Sequence, residues 1–123
     1  MPHTITLEDE GLLRKFSGTV SGEEILASNS RLHTLPEFRQ IRYVINDFSA
    51  MRDHSIEFAH TGAYATSDRI IANTKGTLKI ALIVTRPDLV ELARHYREQM
   101  KDCHFQCEIF PSPDRAREWA RAE

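Results

Sequence analysis

Nine consecutive residues, "DFSAMRDHS" at 47–55, hold most of the side chains in this sequence that could do chemistry together. Asp47, Ser49, Arg52, Asp53, His54 and Ser55 supply carboxylates, hydroxyls, a guanidinium and an imidazole within one short stretch. Asp53, His54 and Ser55 are the residue types of a nucleophilic relay, but consecutive side chains diverge along a chain and cannot line up as one. The plainest role for Asp and Ser before a helix is capping of its free N–H groups, and capping alone accounts for their presence. On this reading Asp53 caps the following helix by accepting from the N–H of Ser55 or Ile56.

Other catalytic patterns are missing. No G-x-S-x-G elbow occurs. The five glycines form neither G-x-G-x-x-G nor a phosphate loop, and the six histidines are scattered without H-E-x-x-H. Cys103, His104 and Cys107 offer C-x3-C rather than C-x2-C, with no second pair at finger spacing, so neither a metal site nor a disulfide is expected. No cofactor is expected either.

The elements that must position these residues follow from periodicity. Residues 4–18 read as two strands joined by a tight turn at Glu8–Gly11, where Gly11 can supply a positive φ. Ser21 and Glu24 form a capping box, Val20 and Ile25 a hydrophobic staple, and Pro36 ends the helix they begin. "RYVINDF" is the next strand. From about Asp53 to Thr74 the period turns helical, with Ile56, Ala59, Ala63 and Ile70 on one face and His60 and Ser67 as a half-buried polar pair. Gly62 weakens this helix and marks a candidate bend. "LKIALIVT" is a continuous apolar strand of the kind covered on both faces. Thr85 and Asp88 are expected to cap a helix with Leu89, Ala93, Tyr96 and Met100 inward and Glu91, Arg94, Arg97 and Glu98 outward. "FQCEIF" is the last strand, and Cys107 belongs to its buried face. Ser112 and Pro113 open a final helix that turns Ala116, Trp119 and Ala120 inward.

The order ββαβαβαβα implies an α/β fold: one mixed, mostly parallel sheet covered by helices on both faces, spanning residues 1–123 as one domain. In such a sheet the strand-to-helix loops gather beyond the strand C-termini, where ligands usually bind. That rim collects Asp47, Ser49, Arg52, Asp53, His54, Thr85, Arg86 and Ser112, with Ser55 beside them.

Composition sets outer limits. With 123 residues, 41% hydrophobic and 28% charged, the chain can bury a core without staples. A formal charge of −2 argues against nucleic acid or an anionic membrane as the main partner. "IALIV" is too short to span a bilayer, so no stable membrane insertion is expected. "MPHTITLEDE" lacks a cationic-then-apolar signal region, which makes the cytoplasm the expected location.

"VINDFSAM" followed by "DHS" resembles the signature of the anti-sigma-factor-antagonist (STAS) superfamily: apolar strand, Asp, apolar residue, Ser, then Asp-Ser-Ser-Gly opening a helix. Asp47, Phe48 and Ser49 match the first part. Asp53 and Ser55 match the second with one residue inserted, and Ile56 stands in place of the glycine. "FSGTVSGEE" and "FPSPDRAREWA" extend the resemblance over nearly the whole chain, to a bacterial STAS-like or SpoIIAA-like branch of unknown function. The resemblance implies a non-catalytic regulatory or protein-interaction module, with Ser55 as the candidate phosphoacceptor and a protein partner. The same fold group includes the CRAL-TRIO lipid-transfer domains, so a small-molecule or lipid carrier is the alternative, and a small hydrolase ranks third. An apolar pocket would favour the carrier; a flat rim exposing Met51 or Phe58 would favour the module. Open sheet edges also suit a homodimer.

Overall fold

The computed structural model describes residues 3–122. Among them the chain forms β1 (His3–Leu7), β2 (Gly11–Val20), α1 (Gly22–Thr34), β3 (Tyr43–His54), α2 (Phe58–Lys75), β4 (Leu78–Ile83), α3 (Pro87–Gln99), β5 (Phe105–Phe110) and α4 (Pro113–Arg121), with a short 3-10 turn at Pro36–Arg39. The strands make one sheet in the order β1-β2-β3-β4-β5. The opening hairpin is antiparallel and every other pairing is parallel.

Alternation along the interior strands divides the core in two. Val44 of β3 with Ile80 and Leu82 of β4 face the larger layer, where α1, α2 and α3 pack. Tyr43 and Ile45 with Ala81 and Ile83 face the other side, where Ala116 and Ala120 of α4 lie against them and Trp119 is partly buried. Having helices on both sides is what makes "IALIV" apolar without a break.

The capping box forms as the sequence requires. Glu24 N–H donates to Ser21 Oγ at 3.1 Å, and Ser21 N–H donates to Glu24 Oε1 at 2.9 Å. Val20 and Ile25 are both buried beside it. At α4, Ser112 Oγ accepts from Arg115 N–H, with Pro113 in the first turn. On α3 the inward stripe is the expected one, but the N-cap is Arg86 rather than Thr85, whose side chain is exposed. Pro87 has a fixed φ and no N–H to satisfy, so it starts that helix without a side-chain cap.

Two expectations for α2 are corrected. The helix begins at Phe58, five residues later than expected, because β3 continues to His54. Its buried face is Thr61, Tyr64, Ala65, Asp68 and Ala72, while Ala59, Ala63 and Ile70 are exposed. Periodicity assigned the wrong face because two of the inward positions are polar and one outward position is isoleucine. The helix runs through Gly62 unbroken.

Gly11 is also corrected. It has no positive φ; among the glycines that conformation belongs to Gly18 and Gly76. Gly11 lies directly opposite Tyr43 in the β2–β3 register, and a Cβ there would come within 2.3 Å of the Tyr43 ring. The missing side chain lets the ring cross the strand, so that Tyr43 OH donates to Glu8 Oε1 at 2.7 Å. Glu8 also accepts from Arg117 and Arg121 of α4, and Arg121 Nε donates to Tyr43 OH at 3.2 Å. This cluster ties the hairpin turn to the last helix. Burial pushes the Glu8 carboxyl upward, but the hydrogen bonds from Tyr43 and Arg117 and the arginine charges outweigh it and hold it below its ordinary value.

Gly11→Ala should lower stability by about 1–3 kcal/mol through this overlap. Gly62→Ala, at a helical site with open space around it, should raise stability by about 0.5–1 kcal/mol. Urea unfolding of the two variants checks both signs.

The depressed carboxyl of Glu8 makes the unfolded chain the stronger proton binder at acid pH. The stability it contributes is present above the ordinary value of 4.5 and is lost as pH falls through the folded value. Glu8→Gln should therefore flatten the acid limb of stability against pH, measured by denaturation from neutral pH to about 3.5.

Candidate functional site

The segment 47–55 is not a loop leading into a helix. Asp47 is the last β3 residue paired with β4, opposite Ile83. Beyond it β3 continues along β2 alone, as far as the Val20–His54 pair. Two bulges absorb the extra length. Lys15 to Ser17 on β2 faces Asp47 to Ala50, and Gly18 to Thr19 faces Met51 to Asp53, so β3 gains one residue at each step. Gly18, at φ 68, supplies the left-handed conformation beside the second bulge.

This extension sets the position of every residue expected on the rim. Asp47 is buried, not exposed; its Oδ1 accepts from Ser49 N–H at 2.9 Å and from the Ser49 hydroxyl at 2.6 Å. That bond engages Ser49 Oγ at the first bulge. Met51 is buried, so it offers no docking surface. Asp53 does not cap the helix. It is exposed, and its Oδ1 accepts from the next residue, His54 N–H, at 2.9 Å. Ser55 is exposed and is held by its own N–H, which donates to Val20 O at 3.1 Å. The N-cap of α2 is Glu57, so Ser55 lies two residues before the cap rather than in the first turn.

His54, Arg52, Arg86 and Asp88 are brought together. His54 Nδ1 accepts from Ile56 N–H at 3.0 Å, so that nitrogen carries no proton, and Nε2–H faces Asp88 Oδ2 at 2.9 Å. Arg86 donates to both oxygens of Asp88, at 3.2 and 3.1 Å, and its Nη1 donates to Arg52 O at 2.5 Å. Arg86 thus satisfies a strand carbonyl that β4 is too short to reach. The Asp88 carboxyl feels some burial, which raises it, but the hydrogen bonds from His54 and Arg86 prevail and hold it low. The arrangement is a clasp between the end of β3 and the start of α3, in which His54 and Arg86 both meet Asp88; Arg52 joins through its carbonyl alone, and its guanidinium makes no hydrogen bond among the described residues. Thr85 and Ser112 do not join it. Thr85 makes no side-chain hydrogen bond among the described residues, and Ser112 is occupied in capping α4.

His60 repeats the pattern next door. Its Nδ1 accepts from Glu57 N–H and its Nε2 meets Glu23 of α1, both at 2.9 Å. The one large apolar side chain exposed on this rim among the described residues is Phe58, 55% accessible, with its ring edge-on to His95 at 5.0 Å.

Beneath the rim, between the sheet and α1–α3, is a polar cluster that sequence reasoning missed. Arg14 of β2 is 3% exposed. Its Nε donates to Asn46 Oδ1 and its Nη1 to Ser28 Oγ, each at 2.9 Å. Asp68 accepts from Tyr96 OH at 2.5 Å and meets His33 Nε2 at 3.0 Å. The available signal was strict alternation in β2, "LLRKF", which puts Arg14 on the same face as Leu12 and Phe16. A cavity of about 60 Å³ adjoins this cluster. Among the described residues no group of three or more His, Cys, Asp or Glu could hold a metal ion. Cys103 and Cys107 are free thiols, and burial pushes the Cys107 thiol up.

The five-stranded mixed sheet, with three helices on one face and one on the other, has the SpoIIAA-like fold. The structure is similar to that of the anti-sigma factor antagonist SpoIIAA in its unphosphorylated form, with a TM-score of 0.63 at 10% identity over 98% of this chain and 99% of that one. It is also similar to an uncharacterized DUF3478-family protein with a SpoIIAA-like fold from Shewanella loihica PV-4, with a TM-score of 0.55 at 16% identity over 96% and 91% of the two chains. No family model and no curated protein matches the sequence. No helix among the described residues is long and apolar enough to cross a membrane.

The clasp makes a prediction. His54→Ala removes the acceptor for Ile56 N–H and the donor to Asp88, and should cost about 1–3 kcal/mol. Asp53→Ala, at an exposed site that caps nothing, should change stability by about 0.5 kcal/mol or less. Chemical denaturation separates the two.

Proposed function

We propose that this chain is a non-catalytic interaction module of regulatory type. Its docking face is the end of β3 with the first turn of α2, and Ser55 is the hydroxyl that switches it. Phe58 carries this reading: a half-exposed aromatic ring three residues after an exposed serine, on a rim where Ser49, His54, Arg86 and Asp88 are engaged with one another or with nearby backbone. Exposed aromatic side chains anchor protein interfaces. The fold supports a protein partner as the class of ligand, since SpoIIAA is an anti-sigma factor antagonist.

Ser55 suits a switch better than Ser49, whose hydroxyl is bonded to Asp47. A phosphate on Ser55 would add charge to the docking face without disturbing a helix cap, because Glu57 and His60 form that cap. The clasp of His54, Arg86 and Asp88 holds the face in place, and the module acts in the cytoplasm. A lipid carrier has less support: a cavity of about 60 Å³ is far below the roughly 300 Å³ that a drug-sized ligand needs.

Native mass spectrometry of the protein purified from its own host tests the reading. A co-purifying protein and a phosphorylated fraction mapped to Ser55 are expected. Phe58→Asp should lose that protein with little change in melting temperature, and Ser55→Asp and Ser55→Ala should differ in how much they retain. The same partner at the same level in wild type and all three variants would sink the proposal. These spectra also report self-association, for which the exposed Ile5 and Leu7 on the edge strand β1 are the available surface.

A further inference from the structure

A buried guanidinium normally sits against a carboxylate, because an unpaired charge away from water is costly. Arg14 does not. Among the described residues no acid lies within ion-pair distance of it, and its two hydrogen bonds go to the neutral side chains of Asn46 and Ser28. A guanidinium carries five N–H donors, so the two bonds leave three donors open: one on Nη1 and both on Nη2. The nearest compensating charge is Asp68, which raises the Arg14 pKa from farther away; burial outweighs it and brings the group down to about 10. Arg14 therefore stays charged at neutral pH. Asp68 itself is occupied by Tyr96 and His33.

The open end of Arg14 lines the cavity beneath α1–α3. Asn29, Asn46 and Asp68 line it too, with Thr61, Tyr64 and Tyr96, while Leu82, Leu89, Leu92 and Ala93 supply apolar lining. About 60 Å³ is room for several waters, at roughly 10–15 Å³ each, and so for a molecule of a few heavy atoms. One guanidinium with open donors and a set of apolar side chains in one small cavity suit an amphipathic monoanion. Asp68 in the same lining disfavours a doubly charged oxyanion such as phosphate.

We propose that this cavity binds a short-chain monocarboxylate, its two oxygens held end-on by the free Nη1 and Nη2 donors of Arg14 and its alkyl tail among the leucines of α3. Phe48 and Ile56, which flank the 49–55 segment in sequence, also line the cavity, so an occupant would touch the base of that segment. The site is independent of any protein partner and of the state of Ser55.

Acetate, propionate and butyrate titrated into the full chain at constant ionic strength test this, read by the Arg14 Nε–H resonance and by melting temperature. A saturable shift of that resonance and a rise in melting temperature are expected with the acids and not with the matching amides. Arg14→Gln should weaken binding about ten- to a hundredfold. Because that variant could fail to fold, Ala93→Leu gives a second test: its added carbons occupy cavity space, so a folded protein should lose the response while keeping Arg14. An equal response to phosphate or to the amides would overturn the carboxylate assignment. No saturable response of wild-type Arg14 to any of the three acids would overturn the site.

Discussion

A single buried charge organises the larger half of this molecule. Arg14 binds Asn46 on the neighbouring strand and Ser28 on α1, and the field of Asp68 on α2 reaches it without direct contact. Asp68 in turn holds Tyr96 of α3 and His33 of α1. Two strands and three helices thus meet in one polar cluster inside an otherwise apolar layer. In a low-dielectric interior each member depends on the others, because removing one leaves its partner desolvated and unpaired. The cluster fixes how α2 is rotated: Asp68 must face inward, so Thr61, Tyr64 and Ala72 do too, and Ile70 is left in solvent.

The opposite face is built differently. One short helix covers it, through Ala116 and Ala120 against Ala81 and Ile83. Small residues allow α4 to approach closely, but they bury less apolar surface than leucines would. The Glu8 cluster compensates at the periphery. Two arginines of α4 and the hydroxyl of Tyr43 converge on one carboxylate, and Gly11 makes room for the ring that carries the hydroxyl. Lys79 then closes the end of α4 by donating to the carbonyls of Trp119 and Ala122, at 2.9 and 2.8 Å.

Between the faces, the rim owes its form to the unequal lengths of adjacent strands. β4 stops opposite Asp47 while β2 runs on, so β3 follows β2 outward for seven more residues with one edge unpaired. Arg86 covers part of that edge and His54 pins the return of the chain. The result is a ledge of extended, hydrogen-bonded backbone that leads into α2.

The sequence by itself determined the order of elements, the parallel pairing and the inward stripes of α3 and α4. It also determined the capping box at Ser21 and the cap at Ser112. Those features depend on residues a few positions apart, and local spacing encodes them directly. The resemblance carried by "VINDFSAM" and "FPSPDRAREWA" led to the right fold for the same reason. What failed was whatever depended on a partner far away in the chain. Asp53 looks like a helix cap until β2 is seen to carry β3 past it. Gly11 looks like a turn residue until Tyr43 is placed across from it, 32 positions later. Ile70 looks buried until Arg14 and Asp68 set the rotation of α2. In each case a long-range electrostatic or packing contact outweighed a local preference worth about 1 kcal/mol or less, and only the tertiary structure brings those contacts together.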